Sequence, residues 1–217
     1  MLTWTSDARR VLCVGAHCDD IEVGCAGTLL TLLRRGSVRE VAWVVLTSDA
    51  RRAAEARKSA TALLRGVRTT RVEIQAFPDG FLPYVGGDVK RFFETLKRTT
   101  DPDLVFTHYR DDRHQDHRLV SELTWNTFRD HAVLEYEIPK YDGDFGSPNV
   151  FVPLDRATTA RKVRHLLRAF PSQHGRRWFT DDLFRAALRL RGMECNARSG
   201  FAEAFYGRKL VVGRARA

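Results

Sequence analysis

Residues 11–36 read VLCVGAHCDDIEVGCAGTLLTLLRRG. An apolar run from Val11 to Ala16 leads into His17, Asp19 and Asp20. Helical periodicity follows over 22–35 and stops at Gly36, a residue suited to the left-handed position after a helix. An imidazole and two carboxylates thus sit between a buried strand and a helix. They are either a capped turn or half of a reactive site.

The alternation continues along the chain. VAWVVLT (41–47) predicts a second buried strand, and 48–66 a helix with a polar start and a terminal glycine. RVEIQAF (71–77) predicts a third strand. Residues 88–98 predict a helix with Val89, Phe92, Phe93 and Leu96 on one face. DLVFTH (103–108) predicts a fourth strand, followed by a helix that begins near Asp116 and carries Leu119, Val120, Leu123 and Trp125. Strands apolar throughout, separated by helices, predict a single-domain α/β protein over 1–217, with a Rossmann-like, mostly parallel sheet and helices on both faces. After about residue 130 the pattern loosens. EIPKYDGDFGSPNVFVPL (137–154) reads as a long loop with short strands, 155–170 and 180–191 as helices, and RKLVVG (208–213) as a final strand. Long loops in compact domains are often functional, so this one is expected to cover or select a substrate.

In such sheets, ligands bind beyond the carboxyl ends of the strands. His17, Asp19 and Asp20 follow the first predicted strand, Ser48, Asp49 and Arg52 the second, Asp79 the third, and His108 to His117 the fourth. All fall on the expected ligand edge.

Composition narrows the function classes. With 217 residues and 43% hydrophobic content, the chain can bury a substantial core. It has no apolar run long enough for a membrane span, and its first residues lack the apolar core of a secretory leader. Four cysteines without a C-x-x-C pair predict a reduced, cytoplasmic chain. The net charge is +9, and of the 36 basic residues only six are Lys. The arginines are scattered in pairs rather than gathered in one tail, so no nucleic-acid partner is expected, although a basic nucleic-acid-binding module is the non-enzyme alternative. An anionic small molecule would also be steered by this charge. The oligomeric state stays open.

A second polar cluster, THYRDDRHQDHRLV, spans 107–120. The chain therefore supplies H-x-D-D and H-x-D-H, each after a predicted strand. Neutral imidazole and carboxylate suit a borderline divalent ion such as Zn²⁺. Three of His17, Asp19, Asp20, His114, Asp116 and His117 would hold an ion with one position open. The others would remain for proton transfer, oxyanion stabilisation and orientation. Singly, each cluster has a plainer reading: H-x-D-D as a capped turn, and Asp116 as the N-cap of its helix. Their coincidence on one sheet edge favours a metal site. Two histidines and a carboxylate also match the triad of non-haem iron(II) oxygenases, the enzyme alternative. No G-x-G-x-x-G follows the first strand, and Cys18 lacks an evident orienting partner for a nucleophile.

These residues resemble a known family. AHCDDIEVGCAGTL is similar to the AHPDD-E-x-x-x-GCGGTL signature of the LmbE-like / PIG-L N-deacetylases, and HQDHRLV to that family's H-x-D-H block. PDLVFTH, the RRAAEARKSATALLRG helix with its R-x-x-E, FPDGFL and FAEAF resemble further blocks in the same order. The resemblance implies a zinc-dependent hydrolase, with one Zn²⁺ per chain, that removes acetyl from an N-acetylated amino sugar or its conjugate. A nucleotide sugar, an antibiotic intermediate and a glycan precursor all fit. It implies His17, Asp20 and His117 as metal ligands and Asp19 as general base. His114 would stabilise the oxyanion, Asp116 would orient His114, and Arg52 and Asp79 would contact substrate. Two positions depart from the pattern. Cys18 stands where the family has Pro, and Ala26 replaces a Gly.

Overall fold

A computed structural model describes residues 7–210. β1 (Arg10–Gly15), α1 (Asp20–Arg35), β2 (Glu40–Thr47), α2 (Ala50–Leu63), β3 (Thr69–Phe77), α3 (Gly86–Thr99), β4 (Leu104–His108) and α4 (Gln115–Thr127) form the alternating part. β5 (Ala132–Tyr136), β6 (Val150–Leu154), α5 (Arg156–Ala169), α6 (Asp181–Glu194) and β7 (Phe201–Gly207) complete it. The strands form one sheet in the order β3-β2-β1-β4-β5-β7-β6, with β7 antiparallel to both neighbours and the β3 to β5 pairings all parallel.

Side chains alternate across each strand, so the sheet builds two apolar layers. From β1, Val11 and Cys13 enter one layer with residues of α1, α2, α5 and α6. Leu12 and Val14 enter the other, with Val89, Phe93 and Leu96 of α3 and Val120 and Leu123 of α4. Both faces of β1 are therefore covered, which is why its sequence is continuously apolar. β3 differs from the expectation of a fully apolar strand: it is the sheet edge, and none of its residues is fully buried.

Two glycines of α1 let the sheet approach closely. A Cβ on Gly24 would lie 2.3 Å from the Tyr136 ring, and one on Gly27 would lie 2.5 Å from Leu154. The Gly27 and Thr28 N–H groups donate to Glu203 of β7 at 2.8 and 2.6 Å, and Lys162 of α5 donates to Val23 O at 2.6 Å while pairing with Glu203 at 2.5 Å. A buried ion pair thereby ties α1 to β7 and α5.

The last strand is FAEAFYG rather than RKLVVG. Residues 208–210 are irregular, and 211–213 lie outside the described residues. The pattern misleads because β7 buries a charged residue, Glu203, which pairs with the distant Lys162. β5 lies in the stretch where the periodicity loosens. Among the described residues, no helix is long and apolar enough to cross a membrane.

Candidate metal centre and active site

The loop after β1 is held by hydrogen bonds with β2, His108 and its own carboxylate Asp20. Thr47, at the end of β2, donates both its N–H and its hydroxyl to Ala16 O at 2.8 Å. Ala16 N–H donates to His108 Nε2 at 2.9 Å, and His17 N–H to Asp20 Oδ2 at 2.6 Å. Asp19 occupies the N-cap position of α1, yet its side chain makes no capping bond. Asp49, Asp155 and Thr180 do cap their helices through side-chain oxygens. The Asp19 side chain is thus not committed to capping α1.

His17 Nδ1, His117 Nε2 and Asp20 Oδ2 converge. His17 Nδ1 lies 3.1 Å from His117 Nε2 and 3.3 Å from Asp20 Oδ2, and the third side is 3.6 Å. Donors about 2.0–2.1 Å from a tetrahedral zinc stand about 3.3 Å from one another, so these three atoms fit one ion. All three side chains are buried.

Each imidazole turns its other nitrogen to a carboxylate, the arrangement that orients metal-binding histidines. His117 Nδ1 is 2.9 Å from Asp112 Oδ2, and His17 Nε2 is 3.1 Å from Asp79 Oδ1 and 3.3 Å from Asp116 Oδ2. Burial drives the His117 pKa down to about 3, which leaves it neutral and able to bind an ion. His17 behaves oppositely. Burial lowers its pKa, but Asp20, Asp116 and Asp79 outweigh burial and hold it well above its ordinary value. Asp20 is held well below the usual carboxylate range because His117, His108 and His17 outweigh its burial.

Asp19 stands beside this triad. Its Oδ1 accepts from Arg52 Nη2 at 3.3 Å, while Oδ2 is buried without a hydrogen-bond partner among the described residues. Burial and the neighbouring Asp20 raise its pKa to about 6, and Arg52 opposes the rise. Arg52 also donates to Asp79 Oδ2 at 3.0 Å. The hydrogen bond from His17 is the main reason that the Asp79 pKa falls to about 2. Arg52 and Asp79 therefore lie at the site, bonded to each other.

α4 begins at Gln115, and its N-cap is His114, whose Nδ1 accepts from Asp116 N–H at 3.2 Å. Contrary to the expectation from the sequence, the Asp116 carboxylate does not orient His114. It accepts from Gly80 N–H at 2.7 Å and Leu82 N–H at 3.0 Å and faces His17. The helix start aims the Asp116 side chain across to the loop after β3, which its two bonds hold in place. The His114 ring packs against His17 and His117, with centroids 4.8 and 4.6 Å away.

Sequence reasoning gave no role to three residues, although it placed two of them, His108 and Asp112, on the ligand edge. Asp112 orients His117. His108, fully buried, stacks on His117 at 3.9 Å and lies 3.1 Å from Asp20 Oδ2. Lys140 lies 3.0 Å from Asp112 Oδ2. Asp112 was visible as a carboxylate beside the H-x-D-H block, five positions before His117. Nothing local marked Lys140. Cys18 points away from the ligand triangle: its thiol donates to Thr47 O at 3.4 Å, and burial pushes its pKa up to about 12.

The chain is similar to several solved structures. The conserved protein TT1542 from Thermus thermophilus aligns with a TM-score of 0.73 at 23% identity, over 95% of this chain and 99% of that one. The N,N'-diacetylchitobiose deacetylase from Pyrococcus horikoshii aligns with a TM-score of 0.67 at 21% identity, over 93% and 84%. GalB, the 4-carboxy-2-hydroxymuconate hydratase from Pseudomonas putida KT2440, aligns at 0.72 and 16% identity, over 96% and 100%. A deacetylase and a hydratase thus share this fold, and the fold alone does not select the reaction. The family model PIG-L, GlcNAc-PI de-N-acetylase, matches residues 12–128, more than half of the chain, and includes both histidine–aspartate clusters. The chain belongs to the PIG-L family.

Proposed function

We propose that this protein is a zinc-dependent hydrolase that removes the N-acetyl group from an amino sugar or its conjugate. The observation that carries the reading is the triangle of His17 Nδ1, Asp20 Oδ2 and His117 Nε2, with the unpartnered Oδ2 of Asp19 beside it. The reading takes the domain as 1–217, because β5, β6 and β7 complete the sheet that carries the site.

A divalent ion on those three residues would polarise the amide carbonyl and acidify water. Asp19 Oδ2 takes the proton of the attacking water, while Arg52 holds the other oxygen and keeps the carboxylate ionised. His114 serves the developing oxyanion. Its Nδ1 is occupied as an acceptor, so Nε2 carries the proton and donates. Burial and the neighbouring His17 lower the His114 pKa, so the ring is neutral and a poor proton source. The amine therefore receives its proton from Asp19 as the C–N bond breaks. A carboxyl with a pKa near 6 can take and return a proton near neutrality.

Support for the sugar substrate comes from family membership and from the chitobiose deacetylase, which shares the fold. The test is a panel of N-acetylated sugars and sugar conjugates given to metal-stripped and zinc-restored protein. Acetate and free amine are measured alongside oxygen consumption. Zinc-dependent acetate release is expected. Oxygen consumption restored by iron(II), without acetate, would support the oxygenase alternative and overturn this reading. Salt-sensitive nucleic-acid binding without turnover would do the same in favour of the binding module.

A further inference from the structure

The 137–149 segment, expected from its composition to be a substrate-covering loop, reaches into the outer layer of the metal centre. Lys140 extends from it until its ammonium lies 3.0 Å from Asp112 Oδ2 and 2.5 Å from Asp144 Oδ2. The three side chains are 10%, 2% and 7% exposed. Asp112 Oδ2 is the same oxygen that meets His117 Nδ1, and Asp112 Oδ1 accepts from His114 N–H at 2.8 Å. Asp144 Oδ2 accepts from Arg113 N–H at 2.7 Å. Lys140 is thus placed between two buried carboxylates that both grip the 107–120 block.

Taking an ammonium and two carboxylates out of water costs several kcal/mol per ion unless they are well paired. Anchoring the loop does not account for that burial, because the loop has a second, independent anchor. Arg191 of α6 pairs with Glu137 at 2.8 Å and donates to Gly146 O at 3.1 Å. Gly146 N–H and the Tyr206 hydroxyl both donate to Glu137, at 3.0 and 2.6 Å.

We propose that Lys140 is a positioning residue for the metal ligand His117, acting through Asp112. Its ammonium, in contact with both carboxylates, lets Asp112 and Asp144 lie together out of water, and so holds Asp112 where it fixes the His117 ring. Without it, two unneutralised carboxylates face each other, and Asp112 gives way. The inference rests on the reading of His117 as a ligand, and it couples the substrate-side loop to ion affinity.

The test is zinc affinity at neutral pH by chelator competition, on full-length protein whose fold is checked by circular dichroism. Lys140→Met weakens binding about tenfold, the scale of lost outer-layer contacts. Lys140→Arg restores most of it. Arg191→Met, which breaks the other anchor, leaves affinity unchanged. The double variant Lys140→Met/Asp144→Asn binds zinc more tightly than Lys140→Met, because the repulsion is relieved. It also serves if the single variant does not fold, since its affinity should then fall within severalfold of wild type. Undiminished affinity in Lys140→Met, an equal loss in Arg191→Met, or a double variant weaker than the single one overturns the inference. Wild-type protein that bound no divalent ion would instead overturn the underlying metal reading, and the inference with it.

Discussion

Nδ1 of His114 accepts the backbone N–H of Asp116 at 3.2 Å. One bond thereby performs two tasks: it caps α4 and sets the tautomer of a ring that packs against His17 and His117. A histidine at this N-cap is committed as a neutral Nε2–H donor, which is the form an oxyanion needs.

His114→Ala should therefore lower kcat by about 10²–10³, the scale of a lost oxyanion donor. It should also cost about 1 kcal/mol of stability through the lost cap. Zinc content should not change. Steady-state kinetics, metal analysis and thermal denaturation check the three parts. A variant that lost zinc would place His114 among the ligands.

Arg52 lies against Asp19 Oδ1 and opposes the rise of the Asp19 pKa that burial and Asp20 cause. The base must be ionised to accept a proton, so activity falls as pH drops through the Asp19 pKa. Arg52→Met removes the opposing charge and should move this acidic limb of the kcat/KM profile to higher pH. A limb that stays in place while KM alone rises would make Arg52 a substrate contact with no effect on the base.

Asp20, Asp116 and Asp79 outweigh the lowering effect of burial and raise the His17 pKa well above its ordinary value, which favours its protonated form. His17 thus stabilises the metal-free fold fully below its unfolded pKa of about 6.5. That contribution is lost as pH rises through the higher folded value. An ion that takes Nδ1 must expel a proton, so affinity should weaken as pH falls below the folded His17 pKa. Zinc titration calorimetry near pH 7, in buffers of different protonation enthalpy, should give heats that differ by about one proton per ion. Heats independent of buffer would contradict this account of His17.

Cys18 replaces the proline of the family pattern without becoming reactive. Its thiol is buried, donates to Thr47 O at 3.4 Å and has a pKa pushed up to about 12. Cys18→Ala should cost about 1 kcal/mol for a small buried group and its weak bond, with zinc content and turnover unchanged. Iodoacetamide should leave the native enzyme active. Inactivation by thiol modification at Cys18 would show the thiol to be accessible.

How far the sequence reaches depends on how local each cause is. The alternation from Val11 to Leu123 reports burial on two sheet faces, and Gly36 and Asp49 mark helix ends through their own conformation and side chain. Those features are legible, as is the ligand edge, because strand ends lie together in any parallel sheet. The end of the chain is not. Glu203 is buried because Lys162, 41 positions away, and the Gly27 and Thr28 N–H groups, still more distant in sequence, meet it. The same holds for Lys140, which meets Asp112 only once the turn before α4 and the 137–149 loop are brought together. Asp116 misleads for a related reason: adjacency to His114 suggests a partner, whereas helix geometry sends the carboxylate toward Gly80 and Leu82.

The most direct test of the account is Asp19→Asn, assayed together for zinc content and acetate release. Asp19 is taken as the base, while His17, Asp20 and His117 hold the ion. The variant should therefore keep one zinc per chain and wild-type affinity while losing at least about 10²-fold in turnover, the range of general-base contributions. Retained zinc with undiminished acetate release, or loss of the ion itself, would contradict the division of roles within the H-x-D-D cluster.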